Sequence, residues 1–211
     1  MITPKLALAL VCTLLCIACE KKNESQKNTF TDTRNGKIYK TTKIGEQVWL
    51  AENLDYNVGR NKCCNNETAN CDKYGRLYNW ETAMKACPNG WHLPTNEEWD
   101  VLYRYADGTS SKSSPYDSET AGKFLKATSG WNRYEGKSGN GEDKFGFSAL
   151  PGGFGDSDDC FNVGNNGIWW SSSEENSKYA YGRLMDYGGD YAQYSDHYLK
   201  SYLRSVRCLQ D

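Results

Sequence analysis

The chain has 211 residues, 25 Lys+Arg against 27 Asp+Glu, two histidines and nine cysteines, a length that suits one domain or at most two. A net charge of -2 excludes a strongly basic protein, so no nucleic-acid partner is expected, and two histidines exclude most His-rich metal enzymes. Counted with glycine in place of tyrosine, apolar residues are about 40%, below the ~45–50% of ordinary globular chains, while 7 Trp, 15 Tyr and 6 Phe predict a core built from rings and loops.

Residues 1–19 carry one charge, Lys5, and an apolar run from Leu6 to Ala18 broken only by Thr13. That run has the length of a signal h-region and is too short to span a bilayer comfortably. It ends in Leu15-Cys16-Ile17-Ala18-Cys19, which resembles a bacterial lipoprotein signal. The resemblance implies a signal peptide over 1–18, removed before Cys19, and acylation of Cys19. It thereby implies a membrane partner held through lipid and a place in the bacterial cell envelope, at the outer membrane or cell surface. Residues 20–29 are polar and read as the rest of a tether spanning 19–29. The domain itself is expected over 30–211.

From Phe30 the pattern is strand-like, with Asn35-Gly36 as a hairpin turn. Lys37 to Ile44 is rich in β-formers, Gly45-Glu46 turns, and Gln47-Val48-Trp49-Leu50 alternates again. Residues 57–73 read as a polar loop. Trp80 to Ala86 reads as a short helix stopped by Pro88-Asn89-Gly90. Thr95-Asn96-Glu97-Glu98 is a capping box, and the helix it opens carries Trp99, Leu102 and Tyr103 on one stripe. Residues 107–117 form a loop, and Glu119 to Ala127 a third short helix. Beyond Gly130 short strands and long loops are expected, with Gly188-Gly189 as a turn. Tyr202, Arg204, Val206 and Cys208 fall on one face of a final strand.

Three cysteines, Cys12, Cys16 and Cys19, lie in the signal region. The other six are Cys63, Cys64, Cys71, Cys87, Cys160 and Cys208. An even number in an exported domain implies disulfides, and the spacing alone leaves all pairings open. Zinc would want CxxC pairs, which the chain lacks, so no metal and no cofactor is expected.

Several motifs resemble one family. They are Trp49-Leu-Ala-Glu-Asn-Leu54, Tyr74-Gly-Arg-Leu-Tyr-Asn-Trp80, Cys87-Pro-Asn-Gly-Trp-His-Leu-Pro-Thr-Asn-Glu-Glu-Trp99, Phe145-Gly-Phe-Ser-Ala-Leu-Pro-Gly-Gly153, Trp169-Trp170-Ser-Ser-Ser173 and Ser205-Val-Arg-Cys208. Together they resemble the Fibrobacter succinogenes major paralogous domain over about residues 30–210. The segment Trp91 to Trp99 also resembles, more distantly, a motif of the sulfatase-modifying-factor family, whose fold is C-type-lectin-like. This second likeness implies an α+β fold with short helices beside twisted antiparallel strands and long loops, stapled by disulfides. C-type lectin domains join a cysteine at the end of their first helix to one at the chain's end, which implies Cys87–Cys208. On that likeness Cys63–Cys71 would then close a surface loop, leaving Cys64–Cys160. The copper-holding cysteine pair of formylglycine-generating enzyme and the calcium-site motifs of lectins have no counterpart here, so neither chemistry is carried over.

The remaining polar motifs read as structural. Asp156-Ser-Asp-Asp159 is a solvated turn, Glu98 a capping residue, and His92 a structural contact. Ser171–Ser173 lacks the context of a nucleophile elbow. The seven tyrosines from Tyr179 to Tyr202 are different, because tyrosine offers a flat face and a polar tip at little entropy cost, which suits binding surfaces. Trp170, Tyr181, Tyr187, Tyr191 and Tyr194 are therefore the ligand-binding candidates, with one of Trp169 and Trp170 in the core and the other exposed. The functional expectation is a lipid-anchored envelope binding module for a polysaccharide, without catalytic residues. A structural or protein-interaction scaffold of the envelope, and an enzyme of unidentified type, are the alternatives.

Overall fold

The computed structural model describes residues 28–109 and 118–211. The leader, Cys19 and most of the tether lie outside them, as does most of the expected 107–117 loop. In chain order the strands are β1 (Thr29–Asp32), β2 (Lys37–Ile44), β3 (Gln47–Leu50), β4 (Asn61–Lys62), β5 (Leu77–Tyr78), β6 (Trp91–His92), β7 (Arg133–Tyr134) and β8 (Lys137–Ser138). They continue with β9 (Phe154–Gly155), β10 (Cys160–Phe161), β11 (Asn166–Glu174), β12 (Tyr179–Asp186), β13 (Gln193–Leu199), β14 (Arg204–Ser205) and β15 (Leu209–Gln210). The α-helices are α1 (Thr68–Tyr74), α2 (Trp80–Ala86), α3 (Asn96–Asp107) and α4 (Ala121–Leu125).

These elements form a mixed α+β fold of few short helices and several largely antiparallel sheets. One sheet has the order β1-β2-β3-β15-β6 and another β13-β12-β11-β14-β5-β4, with β7–β8 and β9–β10 as separate hairpins. Among the described residues, the only parallel strand pairing within the larger sheet is β11 with β14.

Local chemistry sets the helix ends. Asn79 caps α2 by accepting from the Thr82 backbone N–H. Thr95 and Glu98 form both halves of the capping box that opens α3, and Gly108 closes it in the left-handed region. Trp99, Leu102 and Tyr103 are all buried, as their helical spacing predicts.

Four expectations change. The third short helix is confined to Ala121–Leu125. The 57–73 loop contains a 3-10 turn and then α1, because Cys63–Cys71 closes this polar segment on itself and Cys64–Cys160 holds it against the domain. Thr29, read as tether, is already in β1. The final strand does not exist as one element. Arg204–Ser205 pairs in one sheet and Leu209–Gln210 in the other, so the chain turns between them and Val206, Arg207 and Cys208 are all fully buried.

Strand β11 is the centre. Its Trp169 packs with Trp49, Trp99 and Phe147 in one cluster. Its Trp170 packs with Tyr39, Leu50, Leu54, Tyr78 and Val206 in the other. The disulfides are Cys63–Cys71, Cys64–Cys160 and Cys87–Cys208. The last joins the C-cap of α2 to the buried segment before β15.

The two sheets meet at a polar node. Arg207 is 0% exposed. Its Nε and Nη2 donate to Asn53 Oδ1 at 3.1 and 2.8 Å, its Nη1 to Leu50 O at 3.2 Å and to Phe147 O, and its Nη2 to Ser148 O at 3.4 Å. Asn53 Oδ1 also accepts from Trp169 Nε1 at 2.7 Å, while Asn53 Nδ2 donates to Tyr74 O at 2.8 Å. Burial pulls the Arg207 pKa down to about 9, although Glu52 and Asp143 oppose it. A buried donor or acceptor left unpaired costs about 1–3 kcal/mol, more for charged groups. Arg207→Leu and Asn53→Leu should therefore each lower stability by more than about 3 kcal/mol. The double substitution should lower it by less than the sum, since each single change strands the other partner. Urea unfolding of the three variants measures both quantities.

Candidate functional site

The loop between β12 and β13 and the β7–β8 hairpin together form a cleft of about 300 Å³, lined by Lys126, Tyr134, Lys137, Ser138, Tyr187, Gly188, Gly189 and Asp190. Its two rings, Tyr134 and Tyr187, meet edge to face with centroids 5.2 Å apart. Tyr134 is 43% exposed, so an open ring face stands beside hydroxyl, ammonium and carboxylate groups.

The cleft's floor is held from within. Lys126 is only 1% exposed, and its Nζ donates to Asp186 O at 3.0 Å and Gly189 O at 2.7 Å. It also lies 5.1 Å from the centre of the Trp131 ring. Burial lowers its pKa, while Asp190 and Asp186 act the other way. On the opposite side of the loop, the Tyr191 hydroxyl donates to Asp186 Oδ2, and Gly188 N donates to Asp186 Oδ1 at 2.6 Å. Burial, reinforced by that carboxylate, pushes the Tyr191 phenol up to about 12. Gly189 is required here, because a Cβ would come within 2.2 Å of the Tyr191 ring.

The predicted site residues separate. Tyr187 lines the cleft, and Tyr191 braces it from behind. Tyr181 and Tyr194 stack on each other along β12 and β13, with centroids 5.8 Å apart and planes 18° apart, and they do not line this cleft. Trp170 is a correction. It is 0% exposed and donates from Nε1 to Tyr78 O at 2.7 Å. The two tryptophans do point to opposite faces, but β11 is central and core covers both. Tyr134, Lys126, Lys137 and Ser138 escaped the sequence reading. The signal that marks Tyr134, Lys137 and Ser138 is Tyr134-Glu135-Gly136-Lys137, a short hairpin whose Glu135 and Gly136 both take positive φ, whereas no local pattern marks Lys126.

The other polar motifs have structural work. Asp156 Oδ1 accepts from the backbone N–H groups of Asp158 and Asp159, so the acidic loop is a self-capped turn. Among the described residues no group of three or more His, Cys, Asp or Glu could hold a metal, and no helix is long and apolar enough to cross a membrane. His92 bridges Glu98 and Asp211, with Nε2 2.9 Å from Glu98 Oε1 and Nδ1 2.7 Å from Asp211 Oδ1.

A disulfide-stapled α+β domain with an aromatic cleft at one end of its β12–β13 hairpin is the class of protein that these observations define. Residues 42–210 match the Fibrobacter succinogenes major domain, and the chain belongs to that family. No curated protein and no solved structure matches it.

Two predictions follow from these contacts. Lys126→Met keeps the apolar stem and removes both carbonyl bonds, so stability should fall by about 1–3 kcal/mol. Amide exchange should quicken over residues 186–190, as read by hydrogen–deuterium exchange. For His92, burial opposes the charge, but the hydrogen bonds it donates to Asp211 and Glu98 outweigh it and the pKa is raised. Its contribution is then full below the unfolded value of about 6.5 and is lost as pH rises through the higher folded value. Replacing it in His92→Gln should flatten the fall in urea midpoint as pH rises above about 6.5.

Proposed function

We propose that the protein is an envelope binding module, anchored through acylated Cys19, that takes hold of a polysaccharide at the Tyr134–Tyr187 cleft. The observation that carries this reading is the pairing of an exposed tyrosine face with polar groups on a braced loop. Sugar rings present apolar C–H faces and hydroxyl edges, so they suit an aromatic platform rimmed by hydrogen-bonding groups. The loop is fixed in advance by Lys126 and Asp186, which reduces the ordering cost of binding.

The C-type-lectin-like reading of the fold belongs to the same proposal. It is supported by the Cys87–Cys208 bond between the end of α2 and the segment just before the last strand, and by the long-loop region beside the larger sheet. The leader supports the anchor through its apolar run ending at Cys19, and the three disulfides fit an oxidising compartment.

The test is retention of the oxidised full chain on insoluble cellulose, xylan and peptidoglycan, with a glycan array beside it. Tyr187→Ala and Tyr134→Ala should each weaken saturable binding about tenfold, the size of a moderate hot spot at ~1.4 kcal/mol, with unchanged far-ultraviolet dichroism. Trp170→Ala should instead lose about 3–5 kcal/mol of stability. Retention that ignores both tyrosines, or none on any glycan, would move the function to protein partners.

A further inference from the structure

We infer that a second cleft, separate from the aromatic one, binds the oxyanion of an acidic sugar. It has a volume of about 370 Å³ and is lined by Arg60, Asn79, Glu81, Ser177, Lys178, Leu199, Lys200 and Ser201. It lies at the far end of the β12–β13 hairpin. Lys178 and Tyr187 are separated along β12 by roughly 30 Å at ~3.3 Å per residue, so the two clefts fill independently. This inference does not rest on the preceding reading, and either can fail alone.

The walls of the cleft are fastened to one another by backbone hydrogen bonds. Asn79 N donates to Arg60 O at 3.2 Å, Trp80 N to Lys200 O at 3.0 Å, and Lys200 N to Lys178 O at 3.0 Å. The three cationic residues therefore sit on one stitched frame drawn from three distant parts of the chain. Lys200 is further held by Glu174 and by the Trp80 ring, whose centre is 4.4 Å from its Nζ. Trp80 is itself tied down, since Nε1 donates to Ser171 O at 2.9 Å.

Charge then selects the ligand. The whole chain is net negative, yet this cleft is lined by three cations and one carboxylate, Glu81. Glu174 offsets Lys200 from outside the lining. Neither the Arg60 nor the Lys178 side chain has a carboxylate partner among the described residues. The Asn79 carbonyl is spent on capping α2, which leaves its amide N–H groups as donors beside the Ser177 and Ser201 hydroxyls. Two uncommitted cations with neutral donors between them match a carboxylate or phosphate group carried on a sugar, whose hydroxyls meet the serines.

The experiment titrates the isotope-labelled full chain with glucuronate, glucose 1-phosphate and, as a neutral control, glucose, following backbone amide shifts. Glucuronate or glucose 1-phosphate should move the amides of Arg60, Ser177, Lys178, Leu199 and Ser201 in a saturable, salt-weakened way, and glucose should not. The stronger of the two acids identifies a carboxylate or a phosphate as the bound group. Arg60→Gln and Lys178→Gln, both exposed and outside the core, should each weaken binding about threefold. Glu81→Gln should strengthen it by a similar factor. Equal shifts with glucose, no shifts with either acid, or three variants that bind like the parent would each overturn the inference.

Discussion

The fold depends on burying one charge without an opposite charge beside it. Arg207 enters the interior where the chain crosses from one sheet to the other, and it contacts oxygens of Asn53, Leu50, Phe147 and Ser148. An unpaired guanidinium in that position would be prohibitive. Each of its five N–H donors has an oxygen, and those oxygens come from two other parts of the chain. The node therefore specifies a relative placement that greasy contacts alone would leave loose. Asn53 extends it to Trp169 and Tyr74, so β11 and the chain end leading out of α1 are tied to the same atom pair.

That arrangement explains why β11 can be buried on both faces. Its two indole N–H groups are satisfied, one by Asn53 and one by the Tyr78 carbonyl, so adjacent tryptophans enter opposite cores without stranding a donor. A rigid central strand then carries a long hairpin, β12–β13, whose two ends lie away from the node. The clefts occur at those ends, where loops are freed from packing the core and can present rings and charges.

The disulfides complement this polar centre. Cys87–Cys208 closes a separation of 121 residues and anchors the segment that carries Arg207, limiting the freedom of the unfolded chain. Cys63 and Cys64 face different partners and fix α1 and the β9–β10 hairpin to the domain, where the core is smallest: Cys64, Leu77 and Leu203 are its buried members. A chain with modest aliphatic content thus replaces part of a hydrophobic core with covalent links and buried hydrogen bonds.

Much of the local structure was legible in the sequence because its causes are local. The capping box at Thr95, the turn at Gly36, helix α2 and the apolar stripe of α3 each follow from spacing over a few residues. The loop carrying Tyr187 was legible as a Tyr-rich segment punctuated by Gly188-Gly189. Motif order was enough to indicate the family. What local pattern missed was decided by neighbours distant in the chain. Period two put Trp169 and Trp170 on opposite faces but could not reveal that both faces of β11 are covered. Alternation from Tyr202 to Cys208 suggested one strand, whereas the pull of two different sheets bends that segment and turns Arg207 inward. Tyr134, Lys126 and Tyr187 come from separate elements, and only packing brings them to one cleft. By itself the sequence determined the helix caps, the turns and the wealth of rings; the tertiary structure decided which rings face solvent, because exposure depends on what folds over a side chain and not on its neighbours along the chain.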